Sequence, residues 1–315
     1  MASHACSDES DNVPMLKMYH RGAHAGGAGF WDETWDDGQL EAAIRFCEVD
    51  PLRPLFEQHL SPGMLMLEGG CGRGQYVVYY GARGVKVVGF DFARGVLRRL
   101  KAFLPESRVC AGDVAALPFA AGSFDVYYSG GVVEHFEEGP DLALREAHRV
   151  LREGGLFLVS VPYASPLRQL SRSWRGDRRF VAQAGLDPPA APRPGQFWQY
   201  AFTRRGFGRS LRAAGFRVIR TLPYAILFGL YDLPLVERVV SRLTRPLRAE
   251  NPQRLSVTAV ASTRLTAREG SSPQLTPSLV KRLVVAEDRT LPILGLMIRG
   301  CGRLCANMIM FVCEK

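Results

Sequence analysis

From residue 64 to residue 161, short apolar runs alternate with longer stretches in which apolar positions recur every three or four residues. Runs of four to seven residues rich in Val, Leu, Phe and Tyr read as buried strands, and the periodic stretches as amphipathic helices. The pattern predicts about seven strands, near 64–68, 85–90, 108–111, 124–129, 155–161, 216–222 and 307–313. One helix is predicted over 93–103, with Val96, Leu97, Leu100 and Phe103 on one face. Another is predicted over 140–151, with Leu142, Leu144, Ala147 and Leu151 inward and Gly154-Gly155 as its stop. Strand and helix in strict alternation imply an α/β fold, a parallel sheet with helices on both faces.

The first strand ends in Glu68 and runs into Gly69-Gly70-Cys71-Gly72-Arg73-Gly74, the series E-x-G-x-G-x-G. Glycines there let the chain pass tightly from strand to helix and leave room for a ligand against the backbone. The spacing is not G-x-G-x-x-G, because Gln75 and Val77 stand where the third glycine would fall, so a dinucleotide is disfavoured. No lysine sits in the loop, so a Walker-type phosphate cradle is absent. The next two strands also end in acids, Asp91 and Asp113. In a parallel sheet all three acids would line one crevice outside the carboxyl ends of the strands. Asp91 lies 21 residues beyond Gly70, near the offset of about 20 at which a carboxylate meets ribose hydroxyls. An acidic crevice in a chain of net charge +9 suits a cationic, phosphate-free, adenosine-containing ligand, and S-adenosylmethionine is such a molecule.

A series of motifs carries a family resemblance. Glu68 to Gly74, Gly89-Phe90-Asp91, Ala111-Gly112-Asp113, Leu117-Pro118-Phe119, Ser123-Phe124-Asp125-Val126, Val133-Glu134-His135, Arg149-Val150-Leu151 and Gly154-Gly155 follow in order. The series resembles class I S-adenosylmethionine-dependent methyltransferases, and among them the small-molecule branch that includes quinone-biosynthesis methylases. The likeness covers about residues 60–162 and extends to 222 through Tyr200-Ala201-Phe202-Thr203 and Ala214-Gly215-Phe216. It implies a Rossmann-like, seven-stranded, mostly parallel sheet with an antiparallel last strand. It assigns Glu68, Gly70, Gly72 and Gly74 to the methionine end and the sugar, and Asp91 to the ribose hydroxyls. It assigns Phe92 to an adenine face, Asp113 and Val114 to the adenine edge, and Ser129 to the cofactor site as well. The plainer role for strand-end acids is to cap the helices that follow them.

His135, after the fourth strand at the topological switch point, is the candidate base for a hydroxyl or carbon acceptor; its bland alternative is to tether a neighbouring loop. His20 and His24 would reach the site only on a closing lid. Trp31 and Trp35, four apart, would form an aromatic wall or anchor the N-terminal helix on the core. Arginines from Arg168 to Arg179 would receive an anionic acceptor or form a solvated basic face.

Four parts are expected: a flexible leader over 1–29, cap helices over 30–60, a core over 61–222 with 305–315, and an inserted, mostly helical lid over 223–304. The insert opens apolar (Ile226, Leu227, Phe228) and turns basic (Arg238, Arg242, Arg245), which suits an acceptor-binding lid or a membrane surface. The leader has no apolar core of a signal peptide, and Asp232, Pro234, Arg299 and Arg303 interrupt the most apolar later runs, so no spanning helix is expected. Seven scattered cysteines form no metal-ligand cluster, and reduced thiols in a cytoplasmic setting are the simpler reading. Where base-amine methylases carry an acid or Asn followed by Pro-Pro-aromatic, this chain has Ser129-Gly130-Gly131-Val132, which weighs against a nucleic-acid acceptor. The expected activity is methyl transfer to oxygen or carbon of a small hydrophobic molecule. The alternatives are an RNA methyltransferase and a cofactor-binding scaffold without turnover. The oligomeric state is not legible.

Overall fold

Strand β2 (Leu65–Gly69) shows why the apolar runs become central strands: Met66 points into one core and Leu67 into the other, and both are fully buried. The same alternation recurs in β5 (Phe124–Gly130), where Tyr127 and Tyr128 face opposite layers, and in β6 (Leu151–Pro162), where Phe157 and Leu158 do. A strand buried on both faces has no place for alternating polar residues, hence the near-continuous apolar runs.

The structure, a computed structural model, describes residues 15–20, 29, 31–32, 35, 40–175, 196–230 and 300–315. Its main sheet has seven strands in the order β4-β3-β2-β5-β6-β9-β8, with β3 spanning Lys86–Asp91, β4 Arg108–Ala111, β8 Arg217–Tyr224 and β9 Met308–Glu314. The pairs from β4 through β6 are parallel, and β9 runs antiparallel between β6 and β8. All seven strands expected from the sequence are present. The order reverses at β2, so the crevice at the carboxyl ends of β2 and its neighbours is the natural ligand site.

Helices α1 (Leu40–Phe46), α2 (Arg53–His59) and α3 (Gln75–Gly81) lie on one face, where Phe56 packs on Tyr76, Tyr80 and Tyr128 with ring centroids 4.8 to 5.4 Å apart. Helix α4 (Arg94–Phe103) buries Val96, Leu97 and Leu100 as its periodicity requires, but Phe103, expected inward, is 45% exposed at the last turn. Helix α5 (Asp141–Val150) buries Ala143, Leu144, Ala147 and Val150, while Leu142 is 59% exposed. Gly154-Gly155 does not stop α5. Leu151 is already extended, with φ −74° and ψ 142°, and β6 begins there. Glu146 and Arg149 on α5 pin the Leu117-Pro118-Phe119 loop: Glu146 accepts from Leu117 N–H at 2.7 Å and Arg149 donates to the Leu117 and Phe119 carbonyls.

Part of the expected leader is ordered. Strand β1 (Met15–His20) pairs antiparallel with β7 (Gln196–Phe202), Met15 opposite Phe202 and His20 opposite Gln196, as a separate two-stranded ribbon. Helix α6 (Pro166–Arg175) follows β6, and α7 (Arg204–Ala213), capped by Thr203, leads to β8. The insert leaves the sheet at Tyr224 and returns at Met308, which face each other in register. Only its ends, the short helix α8 (Ile226–Leu230) and helical residues 300–305, are described; the lid expected over 223–304 otherwise lies outside the described residues, as does His24. Among the described residues no helix is long and apolar enough to cross a membrane.

Candidate functional site

A cavity of about 250 Å³ opens at the carboxyl ends of four adjacent strands. Each contributes residues at or just beyond its carboxyl end: Gly70 after β2, Asp91 at the end of β3 and Phe92 after it, Gly112 to Val114 after β4, and Gly130 at the end of β5 with Gly131, Val132, His135 and Phe136 after it. Trp31 and Trp35 close it from the N-terminal side.

The glycine loop is built by backbone conformation. Gly70 has φ +75°, and a Cβ there would lie 2.2 Å from Val132 Cγ2, so a side chain would fill the floor of the cavity. Gly74, expected to meet a ligand, has φ +78° and precedes α3; its added Cβ would strike Leu100 at 2.2 Å, so it serves helix packing and does not line the cavity. Gly72 does not line it either, but donates its N–H to Asp91 Oδ2 at 2.9 Å and passes beneath Trp35.

Asp91 also accepts from Ala93 N–H at 2.9 Å, and it is 6% exposed at the cavity edge. Burial holds its pKa above the usual carboxylate range despite these donors. Phe92 is 44% exposed, a large ring presented to the cavity. Asp113 and Val114 line the cavity beside Gly112. Glu68 does not. It is 3% exposed and pairs with Gly89, two residues short of Asp91, so its side chain lies deeper on the same face, with Oε2 unpartnered; burial first, and Asp91 second, raise its pKa well above the usual value. Ser129 likewise lies buried behind the cavity with Oγ unpartnered.

His135 sits on a short 3₁₀ turn, Val133–His135, after β5. Its Nδ1 is 2.7 Å from the Trp198 carbonyl oxygen, which can only accept, so Nδ1 carries the proton and Nε2 is left as an acceptor. Burial pushes the imidazole down to about 4, so it is neutral at physiological pH. Trp31 packs edge-on against it at 5.1 Å and stacks on Trp198 at 5.5 Å and Trp35 at 6.2 Å. Trp31 and Trp35 thus do form an aromatic wall. Trp198, from β7, is a part of the site that the sequence pattern did not reveal, because β7 is placed by pairing with the distant β1. Arg168, a candidate for an anionic acceptor, is instead 4% exposed and donates to the Tyr163 carbonyl and to Asn307 Oδ1.

Glu134, next to His135, is buried with Oε2 unpartnered and Oε1 3.6 Å from where a Gly131 Cβ would lie. Burial pushes it up to about 8. The folded protein therefore holds this proton more tightly than the unfolded chain, and the stability it contributes is full below about 4.5 and lost as pH rises through about 8. Glu134→Gln keeps the size without the charge. By scanning calorimetry its melting temperature relative to the parent should rise between pH 5 and pH 8; a constant difference would refute the buried, proton-holding carboxyl.

The groups present suit S-adenosylmethionine. Two carboxylates line the cavity, an exposed phenyl ring borders it, Gly70 leaves a floor that one methyl group would block, and a buried glutamate oxygen behind the cavity edge lacks a partner. The strand order and this site define a class I, Rossmann-like methyltransferase fold. A family model described as methyltransferase domain matches residues 67–159. An uncharacterized methyltransferase of Synechocystis sp. is 32% identical over 178 residues, covering 55% of this chain and 76% of that protein. A malonyl-[acyl-carrier protein] O-methyltransferase of Serratia marcescens is 32% identical over 114 residues, 36% of this chain and 44% of that protein, so the match spans less than half of its length. Among solved structures, a chain of the complex between the Haloferax volcanii Trm112 methyltransferase activator and a methyltransferase aligns over 90% of this chain and 96% of its own, with TM-score 0.51 and 15% identity, a likeness of fold. The chain belongs to the class I S-adenosylmethionine-dependent methyltransferase family, and its cofactor is S-adenosylmethionine.

Proposed function

We propose that this protein transfers a methyl group from S-adenosylmethionine to oxygen or carbon of a small, hydrophobic acceptor. The observation that carries the reading is one cavity shared by a ribose-type carboxylate, Asp91, and a neutral histidine, His135, whose Nε2 is free to accept a proton or hydrogen bond. The cofactor, when bound, would supply an electrophilic methyl on a sulfonium, with the neutral thioether as leaving group for an acceptor aligned opposite it. What remains for the protein is position. Asp91 would accept from the sugar hydroxyls, Phe92 would cover one face of the adenine, Asp113 and Val114 would meet its edge, and Gly70 keeps the floor clear. Gly72 shapes the loop from behind by donating its N–H to Asp91, and Glu68 lies buried behind the cavity edge. Trp31, Trp35 and Phe136 give the acceptor an apolar wall, and His135 Nε2 orients its hydroxyl or enol. The O-methyltransferase name of the Serratia relative supports an oxygen acceptor on a small group. Residues 223–304 are proposed as the lid that completes the acceptor side.

The test is incubation of purified protein and methyl-labelled cofactor with cell extract. Mass spectrometry should find a small molecule heavier by one labelled methyl group. Label in material destroyed by ribonuclease would move the acceptor to RNA, and cofactor binding without transfer to any fraction would favour the scaffold.

A further inference from the structure

Helix α4 begins at the cavity, immediately after Asp91 and Phe92, yet it has no cap of its own. Its N-cap residue is Ala93, no side chain of that residue bonds the first turn, and no acid lies in that turn. The missing acceptor comes from another part of the chain. Asp32 Oδ1 accepts the N–H of Val96, the third residue of the helix, at 2.9 Å, the position that an N-cap side chain serves. A carboxylate at this end is also favoured by the helix dipole. Arg99, one turn on, donates to the Asp32 carbonyl at 2.8 Å. Gly95 makes the approach feasible: a Cβ there would lie 2.4 Å from Asp32 Oδ1, and its three nearest atoms all belong to Asp32.

The neighbours of Asp32 give this contact its consequence. Trp31, one residue before, packs on His135 and Trp198; Trp35, three residues after, lies over Gly72 and under the Arg73 guanidinium at 4.8 Å. Both indoles line the cavity opposite Asp91 and Phe92. Asp32 therefore fastens the roof of the cavity to the same helix whose start forms its rim.

We propose that Asp32 is a positioning residue, which by capping α4 from outside the helix holds the Trp31 and Trp35 wall of the cavity in place and so sets how slowly the cofactor leaves. The proposal rests on the cavity being the cofactor site. Asp32→Ala should raise the dissociation rate of S-adenosylhomocysteine, measured by stopped-flow displacement, about tenfold, the scale of a lost helix cap. Asp32→Asn retains the acceptor oxygen and should stay within about twofold of the parent. Gly95→Ala leaves Asp32 in place but pushes its carboxylate away, and should behave as Asp32→Ala. A second readout needs no ligand: tryptophan emission of Asp32→Ala and Gly95→Ala should shift to the red, and that of Asp32→Asn should not. Circular dichroism identifies any variant that has failed to fold, and the remaining variants then decide. Unchanged dissociation and emission in Asp32→Ala and Gly95→Ala would overturn the proposal, and so would an Asp32→Asn protein as defective as Asp32→Ala. A parent protein that binds no S-adenosylhomocysteine would instead overturn the cofactor reading, with the emission series still testing the latch.

Discussion

Replacing Asp91 with alanine should weaken S-adenosylmethionine and S-adenosylhomocysteine binding roughly ten- to a hundredfold, as read by titration calorimetry. A charge-assisted hydrogen bond contributes about 1.5 to 3 kcal/mol, and about 1.4 kcal/mol is a factor of ten. The carboxylate also organises the loop, because it accepts from Gly72 and Ala93 N–H on either side of the strand end. Folding should suffer less than binding. The mutation strands two backbone donors, but it also removes a carboxylate that burial holds above its usual pKa, and the two effects oppose each other. The melting temperature of the cofactor-free variant should therefore stay close to the parent value while affinity falls. Asp113→Ala, at a more exposed strand end where the acid bonds only Ala115 N–H among the bonds resolved, should lose less. Equal affinities for Asp91→Ala and the parent would remove Asp91 from the cofactor site.

Asp91, Phe92, Asp113 and Val114 were legible because their chemistry is local: an apolar run, its last residue, and the turn that follows. The sheet was legible for the same reason, since strands buried on both faces leave an unbroken apolar signature. Register was harder to use. Glu68 ends its run as Asp91 does and lies on the same face of the sheet, but it pairs with Gly89, two residues short of Asp91, and is buried behind the cavity edge, so the same strand-end logic placed it in a cavity that it does not line. Gly74 carries a loop glycine's spacing while its φ and its contact with Leu100 answer to helix packing. Phe103 and Leu142 fit the helical period, yet Phe103 falls at the exposed last turn and one residue of rotation puts Leu142 outside and the small Ala143 inside.

Long-range partners left no local mark. Strand β1 has no meaning without β7, and Trp198 reaches His135 only through that ribbon. Asp32 reads as one more acid in a polar segment. The signal that could have found it lies elsewhere in the chain: a helix that starts Ala93-Arg94-Gly95, with no Ser, Thr, Asp or Asn to cap it, needs an acceptor from outside. Around such a site the recognisable motifs supply the floor and the rim, and segments without motifs supply the roof.

His135→Ala should lower turnover about a hundredfold, the lower end of what a positioned proton acceptor contributes, with cofactor affinity within about twofold of the parent. The pH profile separates this role from a structural one. A histidine at its ordinary value would give a falling limb near 6.5. Burial moves that limb to about 4, with the Trp198 carbonyl opposing the shift only in part. The imidazole is neutral throughout the working range. As pH falls through about 4, the second proton turns Nε2 from an acceptor into a donor and sets a cation beside the sulfonium, so both acceptor orientation and charge balance are lost together. Turnover of the parent should accordingly be flat from about pH 8 down to about 5 and fall below it, while the residual turnover of His135→Ala should lack that limb. A base of such low affinity for protons does little to deprotonate a free hydroxyl at neutral pH. Its contribution is to hold the acceptor oxygen in line and to take the proton as the new bond to carbon forms, which makes the loss appear in kcat with KM for the cofactor unchanged. A parent profile breaking near 6.5, or an equal loss of cofactor binding in His135→Ala, would return His135 to a structural tie between β5 and the β1–β7 ribbon.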